Sequence, residues 1–357
     1  MCSSLLLVLG LALVSSGQIA FRGDDRGKTC NDPENNPGVC GFLNECPALQ
    51  EAHRNRNIPL LRKALCGTAG TTKLVCCGEQ KLCGRFVSPR GCGLSSFTPP
   101  RVVNGIPVKS VTDFPWMALL QYSSEPINRC GGAIINDRWI LTAAHCIKSA
   151  GPVKVLLGDL NIATTTEEST QYPPRVYNVE KALKHPEYKR VFRGNGQGLF
   201  NDIALVKLTE RISISPVMKP LCISDSSRPA SDLDGQQVYV AGWGATEFVG
   251  PTVAQMQWAR INVTRHAQCQ EAYSRQNTAV DNTQICANGE NDLGVVDTCR
   301  GDSGGPLIER RNHRNQETSY VAGVVSFGFG CGNANLPGIY THVESFLDWI
   351  GCTVAKN

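Results

Sequence analysis

The chain has 357 residues, of which 41% are hydrophobic, and a formal net charge of only +4. This length fits one large and one small domain, and the low charge gives little support to a nucleic-acid partner. The first feature in chain order is an apolar run from Leu5 to Val14, which is too short to span a bilayer. Small residues follow it, so residues 1–17 are predicted to be a secretory signal cleaved near Gln18. No later run is long and apolar enough for a membrane span, and we expect a secreted, extracellular protein without a membrane partner.

Cysteines are unusually frequent. The chain has 17 of them, and Cys2 lies in the predicted signal. The even number that remains suggests a set of disulfides formed in an oxidising compartment. Neither a C-x-x-C pair nor an H-E-x-x-H motif occurs, so a structural metal site is a weak alternative.

A short segment, residues 18–29, precedes a region in which six cysteines lie between Cys30 and Cys77 with few large apolar side chains. So small a region cannot bury much core and needs covalent cross-links. The cysteines allow many pairings, and their positions alone do not choose among them. We therefore predict a small disulfide-rich domain over residues 30–77.

Residues 78–101 are predicted to be a linker, which contains Cys83, Cys92 and the pair Pro99-Pro100. Proline favours extended backbone, so this stretch is expected to be extended and accessible. Residues 102–357 contain short β-type runs separated by turn signals, and one helix is predicted over Ser345–Val354. Many short strands without long helical periods favour an all-β barrel or sandwich.

Three motifs in this last region supply a base, an acid and a nucleophile in that order. His145 lies in Ala-Ala-His-Cys, Asp202 in Asn-Asp-Ile-Ala-Leu, and Ser303 in Gly-Asp-Ser-Gly-Gly-Pro. A serine hydroxyl is a poor nucleophile until a neighbouring base takes its proton, and a carboxylate orients that base. The motif around Ser303 also fits the nucleophile elbow of α/β-hydrolases, but that fold requires the order Ser, acid, His. The observed order is that of the chymotrypsin class.

From about Arg101 to the C-terminus the sequence closely resembles the trypsin-like serine proteases. The matching motifs occur in the family's order and are Arg101–Gly105, Phe114–Trp116, Cys130–Gly132, Ala143–Cys146, Asp202–Leu205, Gly242–Gly244 and the run around Ser303. The resemblance implies an all-β fold of two six-stranded antiparallel barrels with a C-terminal helix and the active site between the barrels. Residues 30–77, which end in the adjacent Cys76-Cys77, resemble the clip domain of arthropod serine proteases.

The resemblance implies the catalytic roles. His145, Asp202 and Ser303 would form the catalytic triad. The backbone N–H groups of Gly301 and Ser303 would form the oxyanion hole, whose donors stabilise the charge that develops on the substrate.

The resemblance also implies a substrate site. Asp297 would lie at the base of the primary specificity pocket and favour Arg or Lys, because a buried carboxylate needs a cationic partner. Gly328 and Gly338 match the pocket walls. Ser326, Phe327 and Gly328 would pair with the substrate as an added strand, with Phe327 in place of the more usual Trp.

Arg101 matches the family's activation site, and cleavage after it would free the amine of Val102. That amine would insert and pair with Asp302, since a buried carboxylate without a cation is costly. The uncleaved chain would then be a zymogen with low activity.

The resemblance implies a set of disulfides, which are Cys30–Cys76, Cys40–Cys66, Cys46–Cys77, Cys130–Cys146, Cys269–Cys286 and Cys299–Cys331. Cys222 matches the cysteine that tethers the pro-segment, and Cys92 is its preferred partner. That choice leaves Cys83 with Cys352, and an exchange of Cys83 and Cys92 stays open.

Three further features are less specific. The stretch from His145 to Asp202 is longer than in simple trypsins. It carries the run Lys189–Arg193 and the glycines Gly194, Gly196 and Gly198, and it is expected to form an exposed charged loop beside the cleft, with an exosite as the sharper alternative. Asn262 begins the N-glycosylation sequon. Asp159 with Glu167 and Glu168 resembles the calcium loop of some relatives, and a solvated acidic turn is an equal alternative. No cofactor is required by the resemblance.

These residues predict a secreted zymogen of a trypsin-like serine endopeptidase that cleaves after Arg or Lys. The family acts in extracellular cascades of innate immunity, melanisation, clotting or Toll-ligand processing. The expected partners are protein substrates, an upstream activating protease, serpin-type inhibitors and a regulatory protein on the clip domain. The alternatives are a non-catalytic homologue that acts as a binding cofactor, a venom protease and a digestive trypsin. The triad argues against the first of these, and the clip and tether argue against the last.

Overall fold

In the computed structural model the chain divides into two compact units, Met1–Leu82 and Cys83–Asn357. The structure describes residues 25–35, 37–43, 46, 49, 52–53, 56–78, 86–99, 106–123, 129–148, 151–164, 171–193, 196–245, 253–291, 294–296, 302–313, 316–328 and 335–357. The predicted signal lies outside these residues. None of the helices they form is long and apolar enough to cross a membrane.

The first unit is a four-stranded antiparallel sheet. Its strands are β1 (Thr29–Asn31), β2 (Pro37–Gly41), β3 (Leu65–Ala69) and β4 (Thr72–Gly78). They lie side by side in the order β1-β2-β4-β3. Helix α1 (Ile58–Lys63) precedes β3, and it begins where the Asn57 side chain accepts the Leu60 N–H at 3.3 Å.

Disulfides hold this small unit together. They join Cys30 to Cys76, Cys40 to Cys66 and Cys46 to Cys77. The core that they enclose is small and includes Leu49, Ala64 and Val75. Cross-links restrict the unfolded chain and so compensate for the little apolar surface that the unit buries.

The second unit begins with a closed six-stranded barrel. The strands are β6 (Met117–Gln121), β7 (Cys130–Ile134), β8 (Trp139–Thr142), β9 (Lys154–Leu157), β10 (Arg175–Lys184) and β13 (Ala204–Leu208), in the order β10-β13-β8-β7-β6-β9. Their inward side chains, such as Leu119, Ile140 and Leu205, are almost fully buried. Closure leaves this sheet without a free edge.

A second sheet follows the first barrel. Its strands are β5 (Ile106–Pro107), β14 (Gln237–Gly242), β15 (Gln257–Thr264), β16 (Gln284–Asn291), β17 (Gly294–Val296), β18 (Pro306–His313), β19 (Gln316–Phe327) and β20 (Gly338–His342). Their order is β17-β16-β20-β19-β18-β14-β15-β5, and a further pairing of β15 with β16 closes six of these strands into a barrel. Helix α2 (His266–Ser274) connects β15 to β16, and α3 (Leu347–Lys356) ends the chain. The prediction of two six-stranded barrels and a C-terminal helix is thus confirmed.

The stretch that we expected to be a loop beside the cleft forms a β-hairpin. Strands β11 (Lys189–Arg193) and β12 (Gly196–Phe200) pair antiparallel, from Lys189 opposite Phe200 to Arg193 opposite Gly196. The side chain of Leu199 is buried and that of Phe192 is exposed.

Residues 86–99 correct the prediction of an accessible linker. Phe86 and Phe97 are buried, and the Ser319 N–H donates to the Gly93 carbonyl at 3.0 Å. The Ser88 hydroxyl donates to the Ile223 carbonyl at 2.9 Å. The proline-rich segment is extended, as expected. It is not accessible, because Phe86 and Phe97 pack into the apolar core of the second unit.

A buried ionic cluster supports the second barrel. Arg228 and Arg311 each contact both Glu309 and Glu344. Burial raises the pKa of Glu309, but the two guanidinium groups outweigh it and hold that pKa below its usual value. Because each carboxylate meets two cations, the cluster is paired rather than a set of isolated buried charges.

Candidate active site

Asp202 lies two residues before the start of β13, and its side chain is completely buried. The Thr341 hydroxyl donates to the Asp202 carbonyl at 2.9 Å, so strand β20 of the second barrel helps to fix a residue that belongs to the first. Asp202 therefore lies where the two barrels meet.

Three donors converge on the Asp202 carboxylate. The His145 backbone N–H donates to Oδ1 at 2.8 Å, and His145 Nδ1 lies 2.7 Å from Oδ2. The Ser326 hydroxyl donates to Oδ2 at 2.5 Å. An ionised carboxylate has no proton to donate and can only accept hydrogen bonds. His145 Nδ1 therefore carries the proton in this contact, and Nε2 is left as a base. The sequence singled out Ser326 for its backbone, and nothing in the sequence indicated this hydroxyl contact.

The charge of Asp202 is stabilised in spite of its burial. Desolvation raises its pKa, but His145 and the donated hydrogen bonds from His145 and Ser326 lower it, and the net pKa is below the usual value. Asp202 is therefore an anion at neutral pH and can stabilise a positive His145.

Ser303 lies on a tight turn before β18, close to His145. The Cys146 Sγ atom lies 3.6 Å from the Ser303 carbonyl oxygen and 3.7 Å from His145 Nε2. The Ser303 carbonyl also accepts the Gly131 N–H at 2.7 Å. The next residue, Gly304, has φ +80°, and a Cβ there would collide with the Thr142 hydroxyl. Only glycine suits this turn, which sets the position of the serine.

Asp302 directs its carboxylate at the end of β14 and the residues that follow it. The Gly244 N–H donates to Asp302 Oδ1 at 2.9 Å. A Cβ at Gly242 or Gly244 would overlap with the same carboxylate. Arg101 and Val102, which the sequence links to Asp302, lie outside the described residues.

The structure places part of the predicted substrate site. Phe327 packs edge-on against Tyr273, with ring centroids 6.3 Å apart. Gly328 is exposed after β19, and Gly338 is buried at the start of β20, opposite Ala287. Asp297 and Gly301 lie outside the described residues.

The predicted disulfides of the second unit, the glycosylation residue and the candidate calcium ligands are partly within the described residues. Disulfides join Cys92 to Cys222, Cys130 to Cys146 and Cys269 to Cys286. Cys83, Cys299 and Cys331 are not among the described residues, so the partner of Cys352 stays a prediction. Asn262 is exposed on β15. Asp159 is buried, which raises its pKa, and its Oδ1 atom has no hydrogen-bond partner within the described part of the chain. Glu168 is not described.

Comparison with known proteins places both units in families. Residues 103–350 match the family model described as Trypsin. Residues 30–77 match the model described as the regulatory CLIP domain of proteinases.

Relatives resemble the chain over nearly its whole length. The CLIP domain-containing serine protease B4 of Anopheles gambiae is 33% identical, over 97% of each chain. Phenoloxidase-activating factor 3 of Holotrichia diomphalia is 35% identical, over 90% of this chain and 93% of the relative. The crystal structure of the Drosophila Grass clip serine protease of the Toll pathway matches with a TM-score of 0.63 and 30% identity, over 93% of this chain and 99% of that one. The chain therefore belongs to the trypsin family of serine proteases and carries an N-terminal CLIP domain.

Proposed function

We propose that the protein is a secreted zymogen of a serine endopeptidase that cleaves after Arg or Lys once it has been cut after Arg101. The observation that carries the proposal is the buried Asp202, which receives three donors and orients His145 beside the turn of Ser303. A buried carboxylate that is paired with a histidine in this way fits acyl transfer better than a binding role.

The chemistry follows from the orientation of the histidine. His145 Nε2 takes the proton of the Ser303 hydroxyl as Ser303 Oγ attacks the scissile carbonyl. The Nδ1–H bond to Asp202 stabilises the imidazolium, which then gives its proton to the leaving amine. Water hydrolyses the acyl-enzyme by the same proton transfers in reverse order. The N–H groups of Gly301 and Ser303 would receive the oxyanion, a contribution of about 10²–10³ in rate per donor.

Substrate preference would come from Asp297. An Arg or Lys side chain would neutralise this carboxylate in a pocket whose walls are Gly328 and Gly338. The backbone of Ser326–Gly328 continues β19 and would accept the substrate as an added strand.

The test uses the chain after cleavage at Arg101. The wild type should be labelled by a fluorophosphonate and should hydrolyse Arg and Lys amides far faster than Phe amides. Ser303→Ala should reduce hydrolysis to background, whereas Ser274→Ala, which changes an exposed serine on α2, should not. Asp297→Ser should abolish the basic preference. Equal turnover of Arg and Phe substrates by the wild type would refute the pocket assignment.

We place this activity in an extracellular proteolytic cascade. The supporting observation is that the relatives include phenoloxidase-activating factor 3 and the Grass protease of the Toll pathway. The partners would be protein substrates, an upstream protease that cuts after Arg101, serpin-type inhibitors, and a regulatory protein on the CLIP domain. A chain that fails to react with the fluorophosphonate after cleavage would instead be a non-catalytic cofactor.

Two modifications complete the proposal. The exposed Asn262 would carry an N-linked glycan, which treatment with an amidase specific for such glycans would remove. The buried Asp159 Oδ1, with no partner among the described residues, fits a Ca²⁺ ligand, and Glu168 would be the second carboxylate. Calcium should then raise the unfolding temperature of the wild type but not of Asp159→Asn.

A further inference from the structure

A cavity of about 230 Å³ lies between the β11–β12 hairpin and the loop that follows α2. We call it the hairpin pocket. Val191 and Phe200 supply apolar surface on the hairpin side, and Thr278 and Asp281 lie on the loop side. Lys189 stands at its wall, with Nζ 5.6 Å from the centroid of the Phe200 ring.

Close backbone packing and hydrogen bonds from side chains to the backbone hold the walls of the hairpin pocket. Gly196 lies so close to the following loop that a Cβ would collide with the Gln276 carbonyl. The buried Gln284 side chain donates to the Leu199 carbonyl at 2.8 Å, which ties β12 to β16 of the second barrel. At the base of the hairpin, the Asn201 side chain donates to the Glu187 carbonyl at 3.0 Å. The hairpin is therefore fixed against the second barrel.

The hairpin pocket adjoins the site of reaction. The hairpin ends at Phe200, and Asp202 follows two residues later. On the other side of the pocket, the Tyr273 ring packs against Phe327. The Tyr273 carbonyl accepts the Thr278 N–H at 3.1 Å. Tyr273 thus contacts both the strand end that would pair with the substrate and the wall of the pocket. A substrate strand added along Ser326–Gly328 would pass beside the pocket.

The two walls of the pocket carry opposite charges, with Lys189 on the hairpin and Asp281 on the facing loop. Lys189 and Arg190 are exposed, and residues 188–200 contain no Asp or Glu. The acidic residue on the facing loop, Asp281, already accepts the Thr283 N–H at 2.9 Å and the Thr283 hydroxyl at 2.6 Å through Oδ1. Glu187, at the base of the hairpin, is the nearest acid in the sequence before the hairpin. The Lys189 ammonium lies over the Phe200 ring and is exposed, so it can also receive an anion from solvent.

We propose that the hairpin pocket binds an acidic side chain of the protein substrate, from the residues that precede the cut bond. The proposal rests on the proposed endopeptidase function and adds a second determinant of its substrates. The substrate would place a cation in the primary pocket and a carboxylate against Lys189, so that a sequence with Asp or Glu upstream of Arg is selected. The interaction is electrostatic and partly exposed, so it should weaken as salt screens it.

The experiment uses the full chain cleaved after Arg101 and fluorogenic peptides that end in Arg. Glu is moved through the second to fifth positions before the cut bond, and each peptide is matched with a Gln peptide. At one position the ratio of kcat/KM for Glu over Gln should reach about fivefold at low salt, which is the upper range of exposed ion pairs. Lys189→Gln should bring this ratio to about one. Lys184→Gln is the matched control, because Lys184 also lies over a ring, that of Tyr188, but does not line the pocket.

Each outcome decides the proposal. A fivefold ratio that falls with salt and is lost only in Lys189→Gln supports it. Ratios near one at every position, or a ratio that Lys189→Gln leaves unchanged, would overturn it while leaving the endopeptidase function intact. A wild type that cuts none of the Arg peptides would overturn the proposed function and this proposal with it. Faster cleavage of a Leu peptide than of the Glu peptide would show an apolar occupant and would also overturn it.

Discussion

Phe97 anchors the segment that precedes Arg101 to the rest of the second unit. It is 8% exposed. Its ring centroid lies 4.6 Å from that of Phe114, 4.7 Å from Trp258 and 5.6 Å from Tyr239. The Arg310 guanidinium covers the ring at 5.5 Å and donates to the Phe97 carbonyl at 3.1 Å.

Truncation of this ring should therefore destabilise the second unit. A buried Phe→Ala change costs about 3–5 kcal/mol, because the transfer free energy of the ring is lost and a cavity remains. Edge-on aromatic pairs contribute about 0.5–1.5 kcal/mol beyond burial, and Phe97 has such pairs, so we expect the upper part of this range. Phe192→Ala is the control, since Phe192 is 66% exposed and exposed substitutions change stability by about 0.5 kcal/mol or less.

Urea unfolding of Ser303→Ala protein, which prevents self-cleavage, measures the effect. The five tryptophans all lie in the second unit, so their fluorescence reports its unfolding without a signal from the first. If Phe97→Ala changes the free energy of unfolding by less than about 1 kcal/mol, the contacts of Phe97 do not stabilise the second unit.

Two other predictions concern the tether and pH. Protein cut after Arg101 should run as one band without reductant and as two after reduction, because Cys92 is joined to Cys222; two unreduced bands would refute the tether. Cleaved Cys92→Ser protein should still elute as one species on a sizing column because of Phe97, and should separate when Phe97→Ala is added. Burial, assisted by Arg228, lowers the pKa of His342 to about 4 from the usual 6.5. The unfolded chain then binds the extra proton between these values, so stability is complete above pH 6.5 and falls by about 3 kcal/mol towards pH 4. His342→Gln should flatten this acid limb of the melting profile, and an unchanged slope would contradict the assignment.

The sequence was most informative where short motifs carry chemistry. His145, Asp202 and Ser303 each lie in a short run, and their order along the chain is sufficient to exclude the α/β-hydrolase alternative. The two barrels followed from the resemblance rather than from strand periodicity, because strands buried in closed sheets have little apolar alternation.

Contacts between distant segments could not be predicted in this way. The Ser326 hydroxyl reaches Asp202 across 124 residues of sequence. Phe97 is a single aromatic residue in a proline-rich stretch, and its docking depends on rings that lie on separate strands and turns. The glycines of the β11–β12 hairpin suggested a loop, but the contact of Gly196 with the loop after α2 favours a paired conformation. In each of these cases tertiary packing decides a conformation that local sequence leaves open.

In the proposed function, cleavage after Arg101 converts an inactive chain into an Arg-directed protease through Asp302. The most direct test compares hydrolysis of an Arg amide by the intact protein, the protein cut at Arg101, and the cut Asp302→Asn protein. We expect low activity in the first, high activity in the second, and a large loss in the third, because the Val102 amine would lose its carboxylate partner. Full activity of the intact chain would contradict the zymogen, and undiminished activity of Asp302→Asn would contradict this ion pair as the switch.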